Sequence, residues 1–112
     1  MRTAEDLIVA YRQLISRAHA HSVKIIGATI TPFEGVDVPG YYSESKEAVR
    51  QAVNKWIRSS GSFDGVIDFD AVLRDPDHPS RLLLHFASED RLHPNDLGYQ
   101  AMADAIYLAL FK

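Results

Sequence analysis

The sequence has no cysteine, which excludes disulfides, thiolate nucleophiles and zinc-thiolate centres and leaves a chain compatible with either redox environment. Positive charge is also short. Twelve Lys and Arg against fifteen Asp and Glu give a net charge of -3, without the basic stripe that nucleic-acid binders use to neutralise phosphate, so no nucleic-acid partner is expected. Long apolar runs are missing too. No window approaches the ~18 consecutive apolar residues that cross a bilayer, so no membrane span is expected. The opening stretch MRTAEDLIVAYRQL has an amphipathic helical pattern and not the charged tip and unbroken apolar core of a secretory leader. What is present is 112 residues, 46% apolar and 24% charged, the length and composition of one modest globular domain.

Periodicity orders the chain. Thr3 and Asp6 make a capping pair, and Leu7, Ile8, Tyr11, Leu14, Ile15 and Ala18 recur at helical spacing, predicting a helix from about Ala4 to Ala20. VKIIGA, Val23 to Ala28, predicts a buried strand of a parallel sheet. A Pro/Gly-punctuated loop of about a dozen residues follows from Thr29, long enough to suggest a functional role. Ser43 caps a second helix with Ala48, Val49, Ala52, Val53, Trp56 and Ile57 on one face and Gly61 just past its end. Val66, Ile67 and Phe69 predict a second strand, RDPDHPS a turn-rich loop, and Pro94 the first turn of a last helix. Met102, Ile106, Ala109 and Leu110 would be its buried stripe.

The order α-β-loop-α-β-loop-α indicates an α/β fold, part of a three-layer α/β/α sandwich with an incomplete sheet. Two parallel strands leave two open edges and cannot cover three amphipathic helices. The expectation is a single partial domain over residues 1–112 that completes its sheet with another copy or a complementary chain.

The chemistry concentrates in SEDRLHPNDLGY, residues 88–99. A carboxylate on one imidazole nitrogen fixes the tautomer and orientation of a histidine that must act as a base, and Asp90 can reach His93 locally. The spacing alone leaves three readings open: a base with its orienter, a turn and helix cap, or a metal site drawing in His85. Ser88 lacks the G-x-S-x-G elbow of a nucleophile and is assigned to a turn. His19, His21, His78 and His85 have no carboxylate at suggestive spacing and are assigned to surface or loops. Phe33, Tyr41 and Tyr42 would either line an apolar pocket or patch the long loop onto the sheet. Asp68 and Asp70 suit turn and cap roles, and Trp56, in its helical stripe, suits core packing.

DRLHPNDLGYQAMADAI resembles the last block of the SGNH (GDSL-type) hydrolases, in which a D-x-x-H-P segment supplies the Asp and His of a Ser-His-Asp triad. RAHAHSVKIIGATITPFEG resembles that family's penultimate strand and following loop, and AVNKWIRSSGSFDGVIDFDAVLRDP its next helix and last strand. The resemblance implies a flavodoxin-like sandwich that hydrolyses small-molecule esters without metal or cofactor, with His93 as base and Asp90 as its orienter. It covers only the family's C-terminal half. The sequence contains no Gly-Asp-Ser, and its only Asn-Asp, Asn95-Asp96, belongs to the last helix start, so the nucleophile and the oxyanion donors are missing. The chain alone is then expected to be inactive as an esterase. The alternative is a catalytically inert remnant that associates with itself or with a partner.

Overall fold

The Thr3 hydroxyl accepts from the Asp6 amide and the Asp6 carboxylate accepts from the Thr3 amide, both at 3.1 Å. This reciprocal cap satisfies two amides that a helix start leaves orphaned. In the computed structural model, which describes residues 3–110, it opens α1, Ala4–Ala20, as the pattern predicted. Ile8 and Ile15 form the buried side of α1.

Strand β1 is Ile26–Ala28, three residues instead of the six expected. The difference has a local cause. Asp64 clamps Ile25, its carboxylate accepting the Ile25 amide at 2.7 Å and its own amide donating to the Ile25 carbonyl at 2.9 Å. Ladder pairing starts beyond that clamp, and Val23 is exposed. Helix α2, Glu44–Ser59, begins at Ser43, whose hydroxyl accepts from the Lys46 amide. Gly61, just past its end, takes a φ of +68°, which a side chain would resist. The chain then enters β2, Gly65–Ile67, parallel to β1 with Ile26 opposite Gly65 and Ala28 opposite Ile67.

Phe69 does not extend this strand. Asp68 caps a short helix, α3, Phe69–Leu73, by accepting from the Ala71 amide. RDPDHPS, expected as a loop, forms an antiparallel hairpin of β3, Arg74–Asp75, and β4, His78–Leu82. The polar sequence of β4 carries no strand signal. Its Leu82 nevertheless enters a small core with Leu73 and Ala87, against which Phe86 and Met102 pack.

Helix α4 is Asp96–Leu110, starting two residues later than expected. Asn95 supplies the cap, its side-chain oxygen accepting from the Gly98 amide at 2.9 Å, while Pro94 bridges to Ala87. The predicted buried stripe is only half realised: Met102 and Ile106 are half-buried, whereas Ala109 and Leu110 are exposed. Gly98 is the buried residue of α4. A Cβ there would sit 2.6 Å from the Phe86 carbonyl oxygen, so glycine sets how closely the helix docks.

The architecture is α/β. Helix α1 packs on α2, and α4 packs on β2 and α3. The sheet has two parallel strands, each with one neighbour among the described residues. Gly27 faces an aromatic cluster in which the Phe63 ring stands 6.0 Å from Tyr11 and 5.9 Å from Trp56, centroid to centroid. On the opposite side of β1, Ile26 and Ala28 are exposed, although the apolar run predicted a buried strand. Burial of a parallel strand requires neighbouring strands and helices on both faces, and among the described residues β1 has only β2 beside it.

Candidate active site

The segment 87–95 folds on itself. Ala87 bridges Pro94, the Ser88 amide donates to the His93 carbonyl at 2.9 Å, and the Ser88 hydroxyl donates to the Pro94 carbonyl at 3.0 Å. Ser88 therefore closes the loop. Arg91 makes the turn at a φ of +60°, an uncommon conformation for a residue with a side chain. Inside this loop one oxygen of Asp90 accepts from the Leu92 and His93 amides at 2.9 and 3.0 Å, and the other lies 2.6 Å from His93 Nδ1. Asp90 and His93, paired in the sequence by three residues, are thus in direct contact.

A carboxylate cannot donate, so its Nδ1 partner is the donor and Nε2 is left as the acceptor. Nε2 has no hydrogen-bond partner among the described residues, and the His93 side chain is 65% exposed. The hydrogen bonds from the His93 ring, the His93 amide and the Leu92 amide, in that order, hold the Asp90 carboxyl down at about 2. At neutral pH it is a fixed negative charge behind the imidazole. This arrangement can orient a base and stabilise its protonated form.

The loop is tied to the rest of the site through the Asp37 amide, which donates to the Asp90 carbonyl at 3.1 Å. That bond joins it to the long segment 29–42. Beside Leu92, this segment, α1 and α2 enclose a pocket of about 400 Å³ lined by apolar side chains that include Leu7, Ile30, Phe33, Tyr41 and Val49. Phe33 and Tyr41 line it. Tyr42 packs its ring on Phe33 at 5.6 Å instead.

The long segment is held by a polar network in which Asp68 and Asp70, expected in turn and cap roles, are ion-pair partners. Asn54, fully buried, accepts from the Ile30 amide at 2.8 Å and donates to the Ile30 carbonyl at 2.9 Å. Arg50 donates to the same carbonyl, to Glu47 through two 2.7 Å bonds, and to Asp70 at 2.6 Å. Asp70 also receives Arg58 and Arg74, and Thr29 donates to Asp68. A sequence signal existed. Arg50 stands three residues before Val53 and seven before Ile57, on the buried face of α2, where an unpaired charge would be prohibitive. Its partner Asp70 is twenty residues away, beyond the reach of any spacing rule.

The other histidines are surface groups, yet two have carboxylate partners remote in sequence: His19 lies 2.8 Å from Asp64 and His78 3.0 Å from Glu34. Glu34 also accepts from Ser80 and Arg81, which ties the long loop to β4. The Ser80, His78 and Arg81 bonds pull its carboxyl down to about 2. His21 bonds the Arg17 carbonyl, and His85 leans on Phe86. Among the described residues no group of three or more His, Asp or Glu side chains converges to hold a metal ion.

No match to this chain was found among curated proteins. A family model, however, matches residues 1–101, nearly the whole chain and all of the Asp90–His93 loop. By that match the chain belongs to the GDSL-like Lipase/Acylhydrolase family.

Proposed function

We propose that this chain is the base-bearing part of an ester hydrolase, a single partial domain whose serine nucleophile and oxyanion donors come from a complementary segment outside these 112 residues. The observation that carries this reading is the 2.6 Å contact between Asp90 and His93 Nδ1, with Nε2 unpartnered and exposed. His93 Nε2 takes the proton from a serine hydroxyl as that oxygen attacks the acyl carbon, then returns it to the leaving alcohol. Water repeats the cycle on the acyl-enzyme. Asp90 stays ionised throughout and stabilises the imidazolium.

Two features support a nucleophile and oxyanion donors from elsewhere. Ser88 spends its hydroxyl on Pro94. Asn95 is also occupied, its amide donating to the His85 and Ala87 carbonyls and its oxygen accepting from Gly98, so it cannot serve as an oxyanion donor. Loss of a triad nucleophile costs on the order of 10⁶-fold in kcat, and the chain alone should show no turnover above background.

The test is hydrolysis of p-nitrophenyl butyrate by the chain alone and together with a Gly-Asp-Ser-bearing half of a related hydrolase. Turnover is expected only in the mixture and is lost in His93→Ala; turnover that survives His93→Ala would reject the assignment. A second reading, an inert associating remnant, is favoured by the open edge of β1 and the exposed Leu14 and Val23. It predicts a stable oligomer in light scattering and no turnover in any combination.

A further inference from the structure

The pocket beside Leu92 is apolar on most of its wall, but Lys46 and Arg50 also line it. The two cations are not equivalent. Arg50 is neutralised by Glu47 and Asp70 at 2.7 and 2.6 Å. Lys46 makes no ion pair with a described residue: its ammonium donates to the Gly40 and Tyr41 carbonyls, each at 2.9 Å, and stands 5.9 Å from the Tyr41 ring. An ammonium has three protons, so one remains uncommitted. Its position is also unfavourable for the helix, because Lys46 lies in the first turn of α2, where the backbone dipole disfavours a cation and favours an anion. A half-buried lysine held over an apolar pocket by two neutral carbonyls, in a helical turn whose acidic residues Glu44 and Glu47 form no ion pair with it, keeps one ammonium proton for whatever enters.

We propose that the pocket receives an apolar arm of the ester substrate and that this arm ends in a carboxylate bound by Lys46. The substrate class is then an anion-tailed ester, such as a monoester of a medium-length dicarboxylic acid, and Lys46 determines specificity without taking part in the chemistry. The size is suitable, since about 400 Å³ falls within the roughly 300–1,000 Å³ range of small-molecule sites. The assignment of an ester as the ligand rests on the hydrolase reading above; the pairing of an apolar chain and an anion rests on the pocket alone.

The experiment reads binding to the chain as it stands, using octanoate and 1-octanol as probes of equal chain length. Calorimetry gives the affinities, and the methyl resonances of Leu7, Val49 and Leu92 report occupancy. Octanoate is expected to bind about fivefold tighter than octanol at low salt, with the gap closing as added salt screens the ammonium. Lys46→Arg should keep the preference and Lys46→Met should erase it while leaving octanol affinity in place. Should Lys46→Met fail to fold, the salt dependence of the unaltered chain and the Lys46→Arg variant still decide. Equal affinity for the two probes, a preference that persists in Lys46→Met, or silence of the three methyl reporters overturns the proposal. Lys46 would then serve only to pin residues 40 and 41. Because no turnover is read, octanoate selectivity without esterase activity in the complemented protein would reject the hydrolase reading and leave the pocket assignment standing.

Discussion

A carboxylate that accepts three hydrogen bonds within four residues of its own chain is a local device, and Asp90 is one. Its carboxyl sits at about 2, below the ordinary 3.8. A depressed value means that the stabilisation is complete above pH 3.8 and is lost as pH falls through about 2. A carboxyl carbon titration by NMR should therefore show Asp90 with a midpoint near 2, and the protection of the Leu92 and His93 amides, relative to an unstructured peptide at the same pH, should fall only at the acidic end. A midpoint near 3.8 would contradict the geometry. In the complemented enzyme, Asp90→Asn keeps the shape of the residue but reverses its role toward Nδ1, and kcat should fall about 10⁴-fold. At Gly27 the constraint is steric. A Cβ there would lie 2.5 Å from the Phe63 ring, so Gly27→Ala should cost about 1–3 kcal/mol in urea unfolding through overpacking. Phe63→Leu in the same chain should recover part of it.

At the scale of elements, α2 is fastened to the ends of both parallel strands by charge. Arg50 and Asp70 are each 1% exposed, and Asp70 receives three guanidinium groups. Removing one member of a buried pair leaves the other desolvated and uncompensated, at about 3–5 kcal/mol. Asp70→Ala leaves Arg50 with Glu47 and Arg58 with Asp68, so it should lower urea stability by no more than that amount, still a sizeable share of the about 5–15 kcal/mol typical of a domain. A loss below 1 kcal/mol would show that water reaches the cluster. Since the same cluster holds Ile30 and Thr29, the shape of the pocket beside Leu92 depends on it.

Across the whole molecule the unusual feature is what remains uncovered. Among the described residues strand β1 has a neighbour on one side only; Ile26 on it, Val23 just before it and Leu14 on α1 are exposed. Charged substitutions at exposed positions normally move stability by no more than about 0.5 kcal/mol. Leu14→Glu with Val23→Lys should thus leave the thermal midpoint of the chain nearly unchanged while abolishing the gain of esterase turnover on adding the complementary half. If the double variant unfolds the isolated chain, those side chains belong to its own core; if complementation is unaffected, the proposed complementary segment docks elsewhere.

The sequence determined by itself those features whose partners lie within a few residues: the capping box at Thr3 and Asp6, the Ser43 cap, the two principal helices, the presence of both parallel strands and the proximity of Asp90 to His93. Each is a short-range bond or a periodicity, and such signals survive without knowledge of the fold. Its errors fall where distant residues compete. The hairpin 74–82 is a strand pair because Leu82 finds Leu73 and Glu34 finds Ser80, not because HPSRL favours extension. The last helix starts at Asp96, capped by Asn95, and leaves Ala109 and Leu110 exposed because docking against Phe86 and a two-stranded sheet fixes its place. Only the tertiary structure could show Arg50 beside Asp70 and Lys46 beside the pocket, since a charge is costly or useful according to what surrounds it, and those surroundings are brought together from residues 7 to 92 of the chain.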